Sequence, residues 1–533
     1  MKNVKTGFLL FASVAALAIP LTGCGHDPEL DREIYQKPVF EGELEREDDG
    51  SILFDNVEVT MWSIIGDPDL TIHKKLIEQF NDEYSGRIYI NLVSQAHADY
   101  YPALETTWKN DFESAPDMCF MHNEKTATYA NKGYLYPLYD DMLKDLGCRL
   151  DFSNAYENID RVTKMTGVRF AVPVDAHGFI TNFRADIILK NGLGFDNNTR
   201  AIPKSHAEYQ DLLKRLKDKA TAGELLIRNI TRGADHAWRL ASKNWAPSCY
   251  QGTDPDGYSA LYANDGTMTT NNGRTINFQN NQGFKTYITD QVSAWEKGYF
   301  TNGINTEAFP AGETAMFNEG PWWASMSYDA MYNNDELGKV NTTLHISQDD
   351  VDKYSQPYIP MHPDGWWSLD ESSANAHKWY GNGHIIGITR HATDINVVAA
   401  CVEFMNWYIG GRNEYKIDGV KQEGYNLAYW CSSGHMPAWK NVYNSPEYAF
   451  YKSGNPTLKA LGNPEDIIAM ESHRFETTIF NALALCVSSV QDLMRAGSCT
   501  VSDAERCISD VVNSAQAALD MLFDGEEVEG TAE

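Results

Sequence analysis

Val57-Glu58-Val59-Thr60-Met61-Trp62 alternates apolar and polar residues as a half-buried strand does, and the periodicity downstream of it decides the fold class. From Thr71 to Tyr84 the residues Ile72, Leu76, Ile77 and Phe80 recur at helical spacing, and Ser85-Gly86 supplies a stop. A second strand-like run, Arg87 to Val93, comes next. Strand, helix, strand predicts α/β architecture. The pattern continues with a helix around Tyr100 to Phe112, a strand from Asp117 to Met121 and a short helix from Tyr129 to Gly133. Strands at Phe170–Pro173 and Gly178–Asn182 then flank the polar Asp175-Ala176-His177.

Further along, Ser205 and Glu208 have capping-box spacing ahead of a helix to Lys217, and Gln282 to Lys297 reads as another helix. Residues 333–382 are rich in Pro, Asp, Ser and aromatics with weak periodicity, which predicts an insertion. A strand at Gly383–Thr389 and a helix at Asp394–Tyr408 follow. Ser502 and Glu505 repeat the capping-box spacing before a C-terminal amphipathic helix, and residues 524–533 are expected to be an acidic, frayed tail.

Upstream of Val57, Lys2 and Lys5 precede an apolar run from Phe8 to Leu21 that is short for a membrane span, and it ends in Leu21-Thr22-Gly23-Cys24. This resembles a bacterial lipobox. The resemblance implies a lipoprotein signal peptide at 1–23 and a lipidated Cys24 that holds the protein outside the cell membrane. Residues 24–54 are polar, with six acidic residues crowded between Glu41 and Asp49, and are expected to form a flexible tether.

A formal net charge of −30 over 533 residues argues against nucleic acid as a partner, because phosphates need a basic patch. Aromatic residues make up 12% of the chain, and adjacent pairs such as Trp322-Trp323, Trp366-Trp367 and Tyr429-Trp430 sit in turn-rich surroundings. Rings exposed in a cleft suit sugars, whose C–H faces pack on an aromatic plane. Apart from Cys24, eight cysteines are scattered without C-x-x-C spacing, so no metal site is expected; Cys499 and Cys507 are either a local disulfide or buried thiols. There is no Gly-x-Ser-x-Gly elbow, no His-Glu-x-x-His and no P-loop, so the chain reads as a binder that needs no cofactor, with an exported glycosidase as the rival class.

Several segments, in order, resemble the family 1 extracellular solute-binding proteins, the sugar-binding components of ABC importers. They are the opening Val59-Thr60-Met61-Trp62 unit, Ala115-Pro116-Asp117-Met118 followed by Tyr129 to Leu135, and Phe309-Pro310-Ala311-Gly312-Glu313-Thr314-Ala315-Met316-Phe317-Asn318-Glu319-Gly320-Pro321-Trp322. Gly383-His384-Ile385-Ile386-Gly387-Ile388 and Gly434-His435-Met436-Pro437-Ala438 complete the match. The resemblance implies a periplasmic-binding-protein-like (type II) clamp. Its discontinuous lobes, joined by hinge strands, would be lobe 1 from 55–175 and 386–432, and lobe 2 from 176–385 and 433–523. It further implies a carbohydrate ligand, ABC permease subunits as partners and a monomer. A surface glycan-capture or sensor protein would share the same clamp.

The tryptophan of the Gly320-Pro321-Trp322 turn lines the cleft in that family, which makes Trp322 or Trp323 a ligand contact, with core packing as the alternative. Trp62 ends the first strand, where ligands of open α/β sheets gather. Asn123 and Glu124 follow the third strand in a loop that carries polar ligand contacts in the family. Asp175, beside His177 at the first lobe crossing, is placed to accept sugar hydroxyls. Trp238, Trp245, Trp430 and Trp439 are further aromatic candidates, each with core packing as its rival.

Overall fold

A computed structural model of the chain describes residues 32–529 apart from 68, 231–234, 236, 250–253, 272, 302–307, 322–358, 362–368, 371, 377, 418–419, 470–474 and 498. Cys24, Trp322, Trp323, Trp366, Trp367 and most of the expected insertion lie outside the described residues.

The opening unit forms as its pattern predicts. In β1 (Val57–Ser63) the side chains of Val59, Met61 and Ser63 are buried on one face. In α1 (Asp69–Glu83) the buried residues are Asp69, Ile72, His73, Leu76, Ile77 and Phe80, one stripe of a 3.6-residue helix. Gly86 reverses the chain at a φ of +75°, a conformation that favours glycine, and β2 (Ile88–Ser94) returns parallel to β1, pairing Val57 with Ile88. After α2 (His97–Asn110), β3 (Met118–His122) enters parallel to β1 on its other side and buries four of its five residues completely.

The sheet is completed by segments distant in sequence. Its order is β2, β1, β3, His384–Ile388, Val172–Pro173, and the last two strands are antiparallel to their neighbours. His384 pairs with His122 and Ile388 with Met118. A second five-stranded sheet runs in the order Phe300–Thr301, Ser248–Cys249, Met316–Glu319, Ile180–Phe183, Ile359–Met361.

Each sheet has its own core. The first is built mainly of residues from Tyr35 to Ile180 and from Ile385 to Ile467, joined by Ile230, Ala308, Phe309, Phe317 and Trp379; the second is built mainly of residues from Phe183 to Met316 and from Phe475 to Phe523, joined by Tyr380. The chain therefore crosses between lobes three times: near Asp175–Phe183, near Trp379–His384, and between Leu461 and Phe475. The crossings are stitched to one another or to the first lobe. Asp175–Ala176 pairs antiparallel with Met436–Pro437, His177 bridges Asn382, and Trp379–Gly381 runs parallel to Ile467–Ala469.

Several expectations need correction. Residues 32–54 are not a free tether: Tyr35 is 2% exposed in the first core, Phe54 is buried in the same core, Glu41 bridges Asp394 and Lys37 pairs with Asp141 at 2.7 Å. Apolar residues interspersed with the acidic run anchor it. The segment 433–461 packs in the first core, not with the C-terminal helices, because its loop is tied to the first crossing. Ser205 does cap the helix His206–Thr221 by accepting from the Glu208 amide, but the Glu208 carboxylate reaches back to the Lys204 amide, one residue beyond the reciprocal position. The last helix, Val501–Glu529, is capped two residues earlier than expected: the Thr500 hydroxyl accepts from the Asp503 amide and the Asp503 carboxylate from the Thr500 amide. That helix also runs through 524–529, where the sequence predicts a frayed tail. Cys499 and Cys507 are free thiols, and no described helix is long and apolar enough to cross a membrane.

Candidate functional site

A cavity of about 700 Å³ opens between the lobes. Its first-lobe wall is built from the residues just past the C-terminal ends of β1 and β3, where parallel strands deliver side chains into a crevice: Ile64, Ile65 and Asp69 after β1, and His122, Glu124 and Lys125 around the end of β3, with Tyr101 from α2. The second lobe contributes Tyr258, Tyr380 and Phe480. The floor is made by the crossings themselves, through His177, Phe179, Asn382 and His384. Aromatic faces thus come from both lobes, and polar groups from the floor, the first lobe and, through Asn481, the second.

Beneath the floor sits Asp175, fully buried. Its Oδ1 accepts from the His384 amide at 3.0 Å, and its Oδ2 accepts from Trp430 Nε1 at 2.5 Å and lies 2.9 Å from His384 Nδ1. His177 Nδ1 lies 3.4 Å from Oδ1. Burial works against the charge on this carboxylate, but the facing His384 and His435 imidazoles and the hydrogen bonds hold its pKa well below the ordinary carboxylate range. Burial depresses His177, with its hydrogen bond to Asp175 offsetting part of the effect. His122 and His435 are held well below the usual imidazole range, again by burial first. These three rings are accordingly neutral at neutral pH. Asp69, at the start of α1, is pushed up to about 7 because burial outweighs the attraction of His384 and a hydrogen bond to Ser433. The site is a cleft walled by imidazoles, phenols and the Phe480 ring, with a buried carboxylate beneath its floor.

A family model of the bacterial extracellular solute-binding proteins matches residues 75–419 of this chain. The chain belongs to that family. Solved structures share the fold of this solute-binding protein across both lobes. The GacH receptor of Streptomyces glaucescens, solved unliganded and with acarbose, is 15% identical with a TM-score of 0.59, over 87% of this chain and 99% of that one. The sugar-binding protein MalE of Xanthomonas citri is 13% identical with a TM-score of 0.60, over 88% and 99%. UgpB of Mycobacterium tuberculosis, in complex with glycerophosphocholine, is 14% identical with a TM-score of 0.61, over 87% and 99%. No curated protein sequence matches the chain.

Of the residues anticipated from sequence, Glu124 lines the cavity, and its Oε2 is buried without a hydrogen-bond partner. Asn123 is buried behind it, with its amide donating to the Gly383 carbonyl at 2.8 Å. Asp175 is at the cleft, but both its oxygens are engaged by protein donors and it is 0% exposed, so it organises the floor and does not reach a sugar hydroxyl. Trp430 is the buried donor to Asp175. Trp439 and Trp245 are core residues whose indole N–H groups go to the carbonyls of Pro173 (2.7 Å) and Gly312 (3.1 Å). Trp238 lies in the second lobe under the Arg228 guanidinium, 4.7 Å from ring to Cζ. Trp62 is partly buried against the first core. Sequence reasoning does not single out the solute-binding protein's floor histidines as a group. Their signal is present all the same: His177, His384 and His435 each sit inside a segment that the sequence places at a lobe crossing or a family landmark.

Proposed function

We propose that this protein is the lipid-anchored substrate-binding subunit of an ABC importer, a monomeric binder and not an enzyme, which captures a carbohydrate between its lobes and presents it to a membrane permease. The observation that carries this reading is the interlobe cavity, with Tyr101 on one side, Tyr258, Tyr380 and Phe480 on the other, and Glu124, Lys125 and Asn382 as polar partners. Rings on both walls bury the apolar faces of a sugar while the polar groups take its hydroxyls. A ligand that touches both lobes favours the closed arrangement by the difference in its contacts. The fold is shared with GacH and with MalE of Xanthomonas citri, described as acarbose- and sugar-binding respectively. The anchor in this reading is Cys24, at the end of the lipobox-like Leu21-Thr22-Gly23-Cys24.

The test is thermal unfolding of the protein against a panel of maltose, maltotriose, mannobiose, acarbose and glycerophosphocholine, with intrinsic fluorescence as the second readout. A ligand at a hundredfold excess over its Kd adds about 2.7 kcal/mol to the native state. A saturable rise with one glycan class establishes the reading. A rise with glycerophosphocholine alone, or none with any member, rejects the carbohydrate assignment.

A further inference from the structure

Four groups under the cleft have the chemistry of a metal site. Asp175, His177, His384 and His435 are all buried, and one donor atom from each lies within 4.8 Å of every other. Four donors at 2.0–2.1 Å around a tetrahedral ion stand about 3.4 Å apart, so a contraction of at most about 1.4 Å by side-chain rotation brings this set to coordination distance. The rings are already gathered: the centroids of His177 and His384 are 4.8 Å apart, those of His177 and His435 5.0 Å, and those of His384 and His435 5.3 Å.

The hydrogen bonds around the cluster leave one donor bare. Ser433 has two acceptors for its one hydroxyl proton, the Trp430 carbonyl at 2.9 Å and the Asp69 carboxylate, and with the proton on either it accepts from His435 Nδ1 at 3.0 Å. That fixes the tautomer of His435 with its lone pair on Nε2. This nitrogen is buried and has no hydrogen-bond partner; Asp69 Oδ2 is 3.8 Å away. A buried lone pair without a donor is uncommon and calls for an explanation, of which a bound ion is one. The outer partners match those that orient metal ligands: Trp430 Nε1 on the carboxylate and Ser433 on the imidazole.

We propose that Asp175, His177, His384 and His435 bind one divalent ion of the zinc class at the floor of the interlobe cleft. Three imidazoles and one carboxylate are a nitrogen-rich set suited to zinc and its neighbours and unsuited to calcium or magnesium. The ligands come from both crossings that form the floor and from the loop paired with the first of them, so the ion ties the hinge together. His177, His384 and His435 also border the cavity, which places the ion within reach of whatever the cleft holds.

The test uses the full chain, stripped with chelator and titrated with zinc chloride, and separately with cobalt chloride as a spectroscopic stand-in. One zinc per chain at micromolar concentration, with a melting temperature raised by several degrees, is expected. The cobalt form should show the intense visible bands of a tetrahedral site without the near-ultraviolet charge-transfer band of thiolate ligands. His435→Gln and His177→Gln should each weaken zinc binding by about 100-fold while melting like the parent in chelator. Absence of stoichiometric zinc uptake, a thiolate band, or uptake unchanged in both variants overturns the proposal. If the variants do not fold, the cobalt spectrum of the unaltered chain decides between the same outcomes.

Discussion

Glu447 offers a test in which removing a charge should strengthen the protein. It is the second residue of the helix Pro446–Gly454 and is 1% exposed. Burial pushes its carboxyl from 4.5 up to about 8, with the Tyr425 amide and Arg412 offsetting only part of the effect. Gly424 presses against it so closely that a Cβ there would meet Glu447 Oε2 at 1.8 Å, which leaves no room for a side-chain donor on that side. The unfolded chain releases this proton near 4.5 and the folded chain near 8. Below the lower value both states hold the proton and the group is neutral in its effect. Between the two values the unfolded state alone is ionised, so stability falls as pH rises, by about 1.4 kcal/mol per pH unit. The whole window corresponds to about 5 kcal/mol, which water entry and local relaxation reduce to about 2–3 kcal/mol. Glu447→Gln keeps the shape and removes the ionisation. In urea unfolding followed by tryptophan fluorescence, variant and parent should agree within about 1 kcal/mol at about pH 5, and the variant should be the more stable by about 2–3 kcal/mol at about pH 8.5. A variant equal to or weaker than the parent at the higher pH would refute the reasoning.

Other substitutions probe the rest of the frame. Asp186 accepts from Arg184 Nε and Nη2 at 2.9 Å and from Arg228 Nε at 2.8 Å, all of them buried. Asp186→Asn strands two guanidinium groups, and denaturant unfolding should show a loss of about 3–5 kcal/mol. At Gly178 an added Cβ would lie 1.8 Å from Trp379 Cζ3, and Trp379 is itself 1% exposed with nowhere to move. Gly178→Ala should therefore cost about 1–3 kcal/mol by the same assay. If a glycan packs between the cavity walls, Tyr101→Ala and Tyr258→Ala should each weaken it by about 10-fold or more in calorimetric titration, because each removes one stacking face. Retained affinity in both would place the ligand elsewhere.

The sequence carries the local logic of the fold well and the long-range logic poorly. β1, α1 and β2 come from periodicity and a glycine stop, which are properties of neighbouring residues. That β3 is flanked by a strand more than 250 residues downstream, so that His122 faces His384, is a matter of tertiary pairing that no local pattern records. The capping signals are present but degenerate: Thr500-x-x-Asp503 and Ser502-x-x-Glu505 overlap, and the helix starts at the earlier one. Tryptophans are the weakest guide. Trp245, Trp430 and Trp439 lie in turn-rich sequence, yet each ring fills a core and each indole N–H finds a buried acceptor, which composition cannot distinguish from a ring facing a cleft. The tyrosines and histidines that do line the cleft are common residues in ordinary surroundings, and only the pairing of distant segments gathers them.

The strap from Arg32 to Phe54 bears on how such a protein would stand at a surface. Arg32 is hydrogen-bonded to Asn131, the Tyr139 hydroxyl holds the Tyr35 carbonyl, and Arg390 reaches the carbonyl of Ile34, so the chain is moored to the first lobe from its first described residue. With a lipid on Cys24 as proposed, Arg32 lies eight residues along the chain from the anchor and so at most about 28 Å from it. The mooring is on the first lobe only. The first lobe would then ride close to the bilayer like a moored hull while the second swings, so that opening and closing would register as changes in the height of the second lobe above the membrane.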